Sequence, residues 1–271
     1  MPKPRDERPI SELETVSSWL GSGDRIPRLG GAIRRAIDWV IDGARTRRYC
    51  LAELETSEKI YLGNRVEHEV LFELSLSKTP PLDTAICSIQ VDIKFSLRTN
   101  RMIPPEATNH ICVLLSADDD TSAYSCGVFH ALSSYLAKPN RDRKRGILAR
   151  GRSHVSWIAD RLPLPRNFLL HLDSSVRDRL FALPPGQPAI TQLFRTVIGK
   201  PIPKIAVDTL ARQIDPHKRV RDARKALSKE GIEVLSERYD KDRIAQLGNA
   251  PIPSDCWISI RSPRIGKKPR E

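Results

Sequence analysis

The chain has 271 residues, a formal net charge of +12 and five scattered cysteines. That length allows one large domain or two modest ones, and the charge suits a polyanionic partner, nucleic acid or a membrane surface. No apolar run is long enough to span a bilayer, and an odd cysteine count without a C-x-x-C pair argues against a disulfide framework or zinc site and for a reducing cytoplasm.

Residues 1–10 are charged, contain proline and lack an apolar signal region, so disorder is expected there. GGAIRRAIDWVIDGARTRR, residues 30–48, predicts a helix: Ile33, Ile37, Val40, Ile41 and Ala44 recur at helical spacing, with Arg34 and Arg35 on the polar flank. NRVEHEVLFEL predicts a second helix, with Val66, Val70 and Leu74 as its stripe and Glu67 beside that stripe. LDTAICSIQVDIKFS, residues 82–96, reads as one or two strands in which Ile89, Val91, Ile93 and Phe95 alternate with polar residues. HICVLLSA is nearly continuous in apolar residues, as a central strand should be. Cys87 and Cys112 fall in these strand patterns and are expected to be buried as small hydrophobes. Helices and strands in this order predict an α/β layer.

The polar face of the strand carries the chemistry. Asp92 and Lys94 are two apart and point to one side. Asp83 opens the preceding strand or turn, and Glu67 comes from the helix before it. Three carboxylates and an ammonium are a hard-oxygen set suited to Mg²⁺. Such an ion polarises a phosphodiester and acidifies water beside it, and a lysine can stabilise the charge growing on phosphate oxygens. An acid two residues from a lysine is ordinarily a solvated sheet face, so spacing alone leaves both readings open. Glu69 lies about 200° round the helix from Glu67, on another face.

Asp83, eight residues, then Asp92-Ile93-Lys94 matches the PD-(D/E)xK signature, with Leu82 where the usual proline stands. YLGNRVEHEVLFEL, LDTAICSIQVDIKFS, NRMIPPEATNHICVLLSADDD and NRDRKRGILARGR resemble the NaeI-type (type IIE) restriction endonucleases. LFRTVIGKPI and KRVRDARKAL continue the resemblance, in order, over most of the chain. It implies a PD-(D/E)xK endonuclease core, a mixed β-sheet flanked by helices, followed by a winged-helix, CAP-like domain. It also implies Glu67, Asp83, Asp92 and Lys94 as the catalytic set, and dimers that bind two copies of a DNA site.

The division into domains is expected at the Pro-rich RLPLPRN: residues 1–162 as endonuclease, 163–271 as DNA-binding domain. Residues 162–271 hold 21 Lys+Arg against 12 Asp+Glu, a balance of +9 that leaves +3 for the rest. KIAVDTLAR predicts a helix. A turn follows, with Asp215 as N-cap and Pro216 at the first helical position. HKRVRDARKALSKEG predicts a second helix with Val220, Ala223 and Leu227 buried and Lys218, Arg221, Lys225 and Lys229 opposite. The strands IEVLS and CWISI then complete a winged helix-turn-helix order. Arg221 and Lys225, with Lys218, are candidate groove contacts, and Arg219 and Arg224 phosphate contacts. The run at Arg141, Arg143, Lys144 and Arg145 reads as a solvated loop or a DNA-backbone clamp.

The resulting expectation is a cytoplasmic, dimeric, Mg²⁺-dependent type II restriction endonuclease acting on double-stranded DNA. Glu67, Asp83, Asp92 and the Ile93 carbonyl would hold the metal, and Lys94 would assist attack on phosphorus. The rivals are a repair or nicking nuclease for modified DNA and a non-catalytic winged-helix regulator. Plasmid cleavage in Mg²⁺ separates them.

Overall fold

The computed structural model describes residues 7–97 and 101–262, and it divides into two compact units. The first takes the chain up to Val40 and again over Leu54–Arg166. The second takes Ile41–Glu53 and everything from Asn167 on. The compact units divide after Arg166, four residues beyond the expected 162, and the last strand of the first unit, β7 (Ser156–Pro163), ends inside the Pro-rich stretch. Residues 41–53, of which 41–48 were expected to end an endonuclease helix, belong to the second unit.

In the first unit, α1 (Glu7–Gly21) and α2 (Arg25–Ile41) come first. Residues 7–10 are thus helical rather than disordered, and the remainder of that expectation lies outside the described residues. Burial of Val16 and Leu20 holds α1 in place despite its charged start. On α2, Ile33, Ile37, Val40 and Ile41 are buried as their spacing predicts. Gly30 meets the ring of Tyr124, whose hydroxyl donates to the Ile26 carbonyl at 2.7 Å; a Cβ on Gly30 would stand 2.9 Å from that ring. Arg34 is buried rather than on a polar flank. It pairs with Asp38 at 2.8 Å and with Asp119, and burial raises the Asp38 carboxyl above its ordinary value.

After α3 (Gly43–Thr46), described below with the second unit, α4 (Thr56–Glu73) opens with a capping box, Glu55 and Glu58 each bonding the other's backbone. It packs on β2 (Ile89–Ser96) of a five-stranded sheet. The order is β1 (Thr84–Ile86), β2, β4 (Ile111–Asp118), β5 (Ala123–His130), β7, with β2 and β4 parallel and the other pairs antiparallel. A small ribbon of β3 (Met102–Ile103) and β6 (Arg145–Gly146) and the short α5 (Ala149–Arg152) lie outside this sheet. β1 and β2 form a two-residue hairpin whose loop, Cys87 and Ser88, has φ of 51° and 65°. Both left-handed residues suit a type I′ turn, and they leave Cys87 exposed, contrary to its expected burial, while Cys112 is buried.

The second unit joins α3 to α6 (Ser174–Ala182), α7 (Gln187–Thr196), α8 (Lys204–Ala211), α9 (His217–Ser228) and α10 (Lys241–Gln246). Its antiparallel sheet has the order β8 (Pro201–Pro203), β10 (Cys256–Arg261), β9 (Ile232–Ser236). Phe194, Leu193, Val207, Leu210, Val220 and Leu227 form its core. Gly43 is packed so closely on α8 that a Cβ would stand 2.2 Å from Thr209 Oγ1. Arg47 donates to the Leu183 carbonyl at 2.7 Å just past the end of α6, and Asn167 donates to the Tyr49 carbonyl at 2.7 Å. Among the described residues, no helix is long and apolar enough to cross a membrane.

Candidate active site

The hairpin and α4 position the four expected residues. Asp92 is 3% exposed, because both faces of β2 are covered. Lys94, two residues on, lies on the same side. Its Nζ donates to Asp92 Oδ1 at 2.9 Å, stands 2.8 Å from Oδ2 and 3.7 Å from Asp83 Oδ2, and donates to the Ile93 carbonyl at 3.2 Å. Asp83 precedes β1 and accepts a hydrogen bond from the Ile93 N–H at 2.7 Å. Two carboxylates and one carbonyl oxygen therefore converge on a single ammonium.

Burial pushes the Asp92 carboxyl up to about 6, against the pull of Lys94, with the Asp83 charge adding to the rise. Burial lowers Lys94, but the charges of Asp92 and Asp83 outweigh it and hold the ammonium above its ordinary value. Cys112, the register partner of Asp92 on β4, is pushed up by its burial and by the Asp92 charge.

Glu67 is not brought into this group. It faces Lys78, with Nζ 3.3 Å from its Oε1, and among the described residues no three His, Cys, Asp or Glu side chains stand together as a metal-holding set. Glu69 is engaged elsewhere, by Arg35 and Arg65. The donor chemistry still fits Mg²⁺. The ion needs one or two carboxylates and keeps several waters. Asp92 Oδ2 is buried and has no properly directed hydrogen bond among the described residues.

The expected DNA contacts separate into two kinds. Lys218, Arg221 and Lys225 on α9 are exposed, Arg219 is half-buried, and Val220, Ala223 and Leu227 are buried beneath them. Arg224 instead donates to Asp240 Oδ2 at 3.1 Å, which ties α9 to the turn after β9. The helix begins one residue later than expected: Pro216 occupies the cap, and Asp215, at φ 58°, stands 3.3 Å from His217 Nε2. Arg141, Arg143 and Lys144 are exposed in a turn held by Asn140 Oδ1. Arg145 is bound to carbonyls, its Nε to Ala137 at 2.7 Å, and braces that turn from within. No local pattern marks Lys78 as the partner of Glu67, because the contact is made only when α4 and the residues before β1 come together.

Similarity to known proteins fixes the class: this is a type II restriction enzyme, a site-specific deoxyribonuclease. Within that class the chain belongs to the NaeI restriction endonuclease family, whose model, described as restriction endonuclease NaeI, matches residues 21–267. The type II restriction enzyme NaeI of Lentzea aerocolonigenes is 34% identical over 257 residues, covering 90% of this chain and 81% of that protein.

Proposed function

We propose that this chain is a Mg²⁺-dependent endonuclease that hydrolyses both strands of DNA at a specific site. The observation that carries this reading is the convergence of Asp83, Asp92 and the Ile93 carbonyl on Lys94, in a member of a restriction endonuclease family. Asp83, Asp92 and the Ile93 carbonyl would hold Mg²⁺, and Glu67, paired with Lys78, stays outside that set. The ion would supply positive charge against the phosphodiester oxygens. Lys94 keeps its proton, so it donates hydrogen bonds instead of abstracting a proton. It orients the attacking water and stabilises charge growing on phosphorus-bound oxygens. Asp92, fixed by the sheet on both sides, sets the position of that ammonium. In-line attack expels the 3′ oxygen and leaves 5′-phosphate ends.

The first unit is read as a PD-(D/E)xK core and the second as a winged-helix DNA-binding domain. α8, a turn, the basic helix α9 and the β9–β10 pair support the latter. Lys218, Arg219, Arg221 and Lys225 would meet DNA there, with Arg141, Arg143 and Lys144 on the first unit. Two copies acting together, one cutting per strand, fit a palindromic site, and the second unit could take a further effector copy.

Supercoiled plasmid incubated with the protein in Mg²⁺, Ca²⁺ or EDTA tests the reading. Linear product in Mg²⁺ alone is expected. Binding without cutting in Mg²⁺ refutes the nuclease, and open circles alone would turn it into a nicking enzyme.

A further inference from the structure

α4 buries Leu62, Val66 and Val70 and turns its other side outward. That side carries Ser57, Ile60, Tyr61, Asn64, His68 and Phe72, all of them exposed. A step of 100° per residue sets these six within about 60° of the direction opposite Val66. None is Asp, Glu, Lys or Arg, although those four types make up 29% of the chain. A helix face that meets only water is ordinarily charged. Here Glu67, Glu69 and Glu73 lie off the face, tied within the same unit to Lys78, to Arg35 and Arg65, and to Arg28 and Arg35.

Phe72 is 80% exposed, Ile60 73% and Tyr61 41%. Trp39 of α2, 52% exposed, extends the face: its ring centroid stands 5.8 Å from that of Tyr61, with the Arg65 guanidinium 4.5 Å from the indole. These four side chains leave roughly 500 Å² of apolar surface open, the size of patch that marks an interaction site on a soluble protein. A stable interface buries about 800 Å² per partner. The four thus supply most of one half-interface, and Ser57, Asn64 and His68 add polar area to it.

The order of the stripe points to the occupant. Ile60, Asn64, His68 and Phe72 form one i, i+4 row, a ridge by which helices pack on helices. The row reads apolar, polar, polar, apolar, symmetric about the level of residue 66. Reversed by a two-fold axis at that level, it matches itself: Ile60 faces Phe72 of the partner subunit, and Asn64 faces His68 of the partner subunit, on both sides of the axis. Apolar groups meet apolar groups, and no formal charge is desolvated along the row. A foreign partner would not call for such symmetry.

We propose that this face of α4, extended by Trp39, binds a second copy of the chain, the two α4 helices meeting antiparallel about a two-fold axis. The inference rests on the reading above that two copies act together, and it names the surface through which they do so.

The test uses full-length protein, sedimentation velocity over a dilution series, and plasmid cleavage in Mg²⁺ in parallel. A dimer is expected for the wild type and for Tyr239→Lys, at an exposed aromatic position of the second unit. Ile60→Lys/Phe72→Lys should weaken dimerisation by about a hundredfold or more, because it sets like charges together on both sides of the axis. Ile60→Lys/Phe72→Glu sets opposite charges together and should recover about tenfold or more of that loss. The two double variants alter the same positions, so their comparison cancels a shared effect on folding. A monomeric wild type overturns the interface, as does a dimer unchanged in Ile60→Lys/Phe72→Lys or equally lost in Tyr239→Lys. Equal weakening in the two double variants overturns the antiparallel pairing. A monomeric wild type whose thermal midpoint falls in Phe72→Lys would give the face to another segment of the same chain. A wild-type dimer that leaves plasmid intact keeps the interface and loses the nuclease reading. A wild-type monomer that linearises plasmid does the reverse.

Discussion

Asp83 accepts the backbone N–H of Ile93 at 2.7 Å, where the partner strand has already run out. β1 pairs with β2 only as far as Thr84 opposite Val91, so the side chain takes over from the ladder two positions further along β2. The same carboxylate faces Lys94 at 3.7 Å.

Asp83→Asn and Asp83→Ala should therefore separate structure from chemistry. Asparagine keeps an acceptor oxygen for Ile93 but removes the charge. Both variants are expected to lose plasmid cleavage by about a hundredfold or more. Only alanine should also lose about 1–2 kcal/mol of stability, read from denaturant unfolding, because it orphans the N–H. An Asp83→Asn protein that cuts at the wild-type rate would remove Asp83 from the site.

Lys94→Ala leaves Asp92 buried beside Asp83 without a counter-charge. Cleavage should fall by about 10²–10³-fold. The thermal midpoint should drop in EDTA and recover with added Mg²⁺ by more than the wild-type midpoint does, because the ammonium no longer competes for the same oxygens. An equal response to Mg²⁺ in both proteins would argue against metal at Asp83 and Asp92.

On α9, Arg221→Ala and Lys225→Ala should each lower the slope of log affinity against log salt by about one contact, while stability changes little. Arg224→Ala should behave in the opposite way. Its bond to Asp240 holds the turn after β9, so unfolding measurements should register the change before the salt slope does.

Gly43→Ala should destabilise the second unit by about 1–3 kcal/mol. The added methyl meets Thr209 Oγ1 at 2.2 Å and the Arg48 carbonyl at 2.8 Å, so Thr209→Ala, which removes that hydroxyl, offers little relief because the backbone oxygen remains. Thermal unfolding of the two variants and their combination measures this directly. Full rescue by Thr209→Ala would show that Arg48 can move.

Much of the site was legible because it rests on local periodicity. Asp92 and Lys94 share a face for the same reason that Val91 and Ile93 are buried opposite them, and α9 shows its three buried residues at helical spacing. Residues 41–53 were not legible, because the break after Ile41 answers to Thr209, far along the chain. β7 was hidden by the proline that ends it, Pro163, which an edge strand tolerates where a central one would not. Arg145 looked like its neighbours in a basic run, and only the carbonyls of Leu136 and Ala137 distinguish it. Glu67 stands beside the buried Val66 and Val70 of α4, but the lysine it meets comes from a segment whose path no periodicity describes.

The seat that α8 makes for Gly43 also orders events during synthesis. At ordinary elongation rates residues 41–53 leave the ribosome roughly ten to thirty seconds before Thr209 does. The first unit is fully translated by Arg166, so it can complete its sheet while that segment still lacks its destination. The second unit has its opening piece made first and its closing strand, β10, made last. A chain stopped short of β10 would thus carry a finished first unit and an unmatched stretch from Ile41 to Glu53, the form on which chaperones and proteases would act.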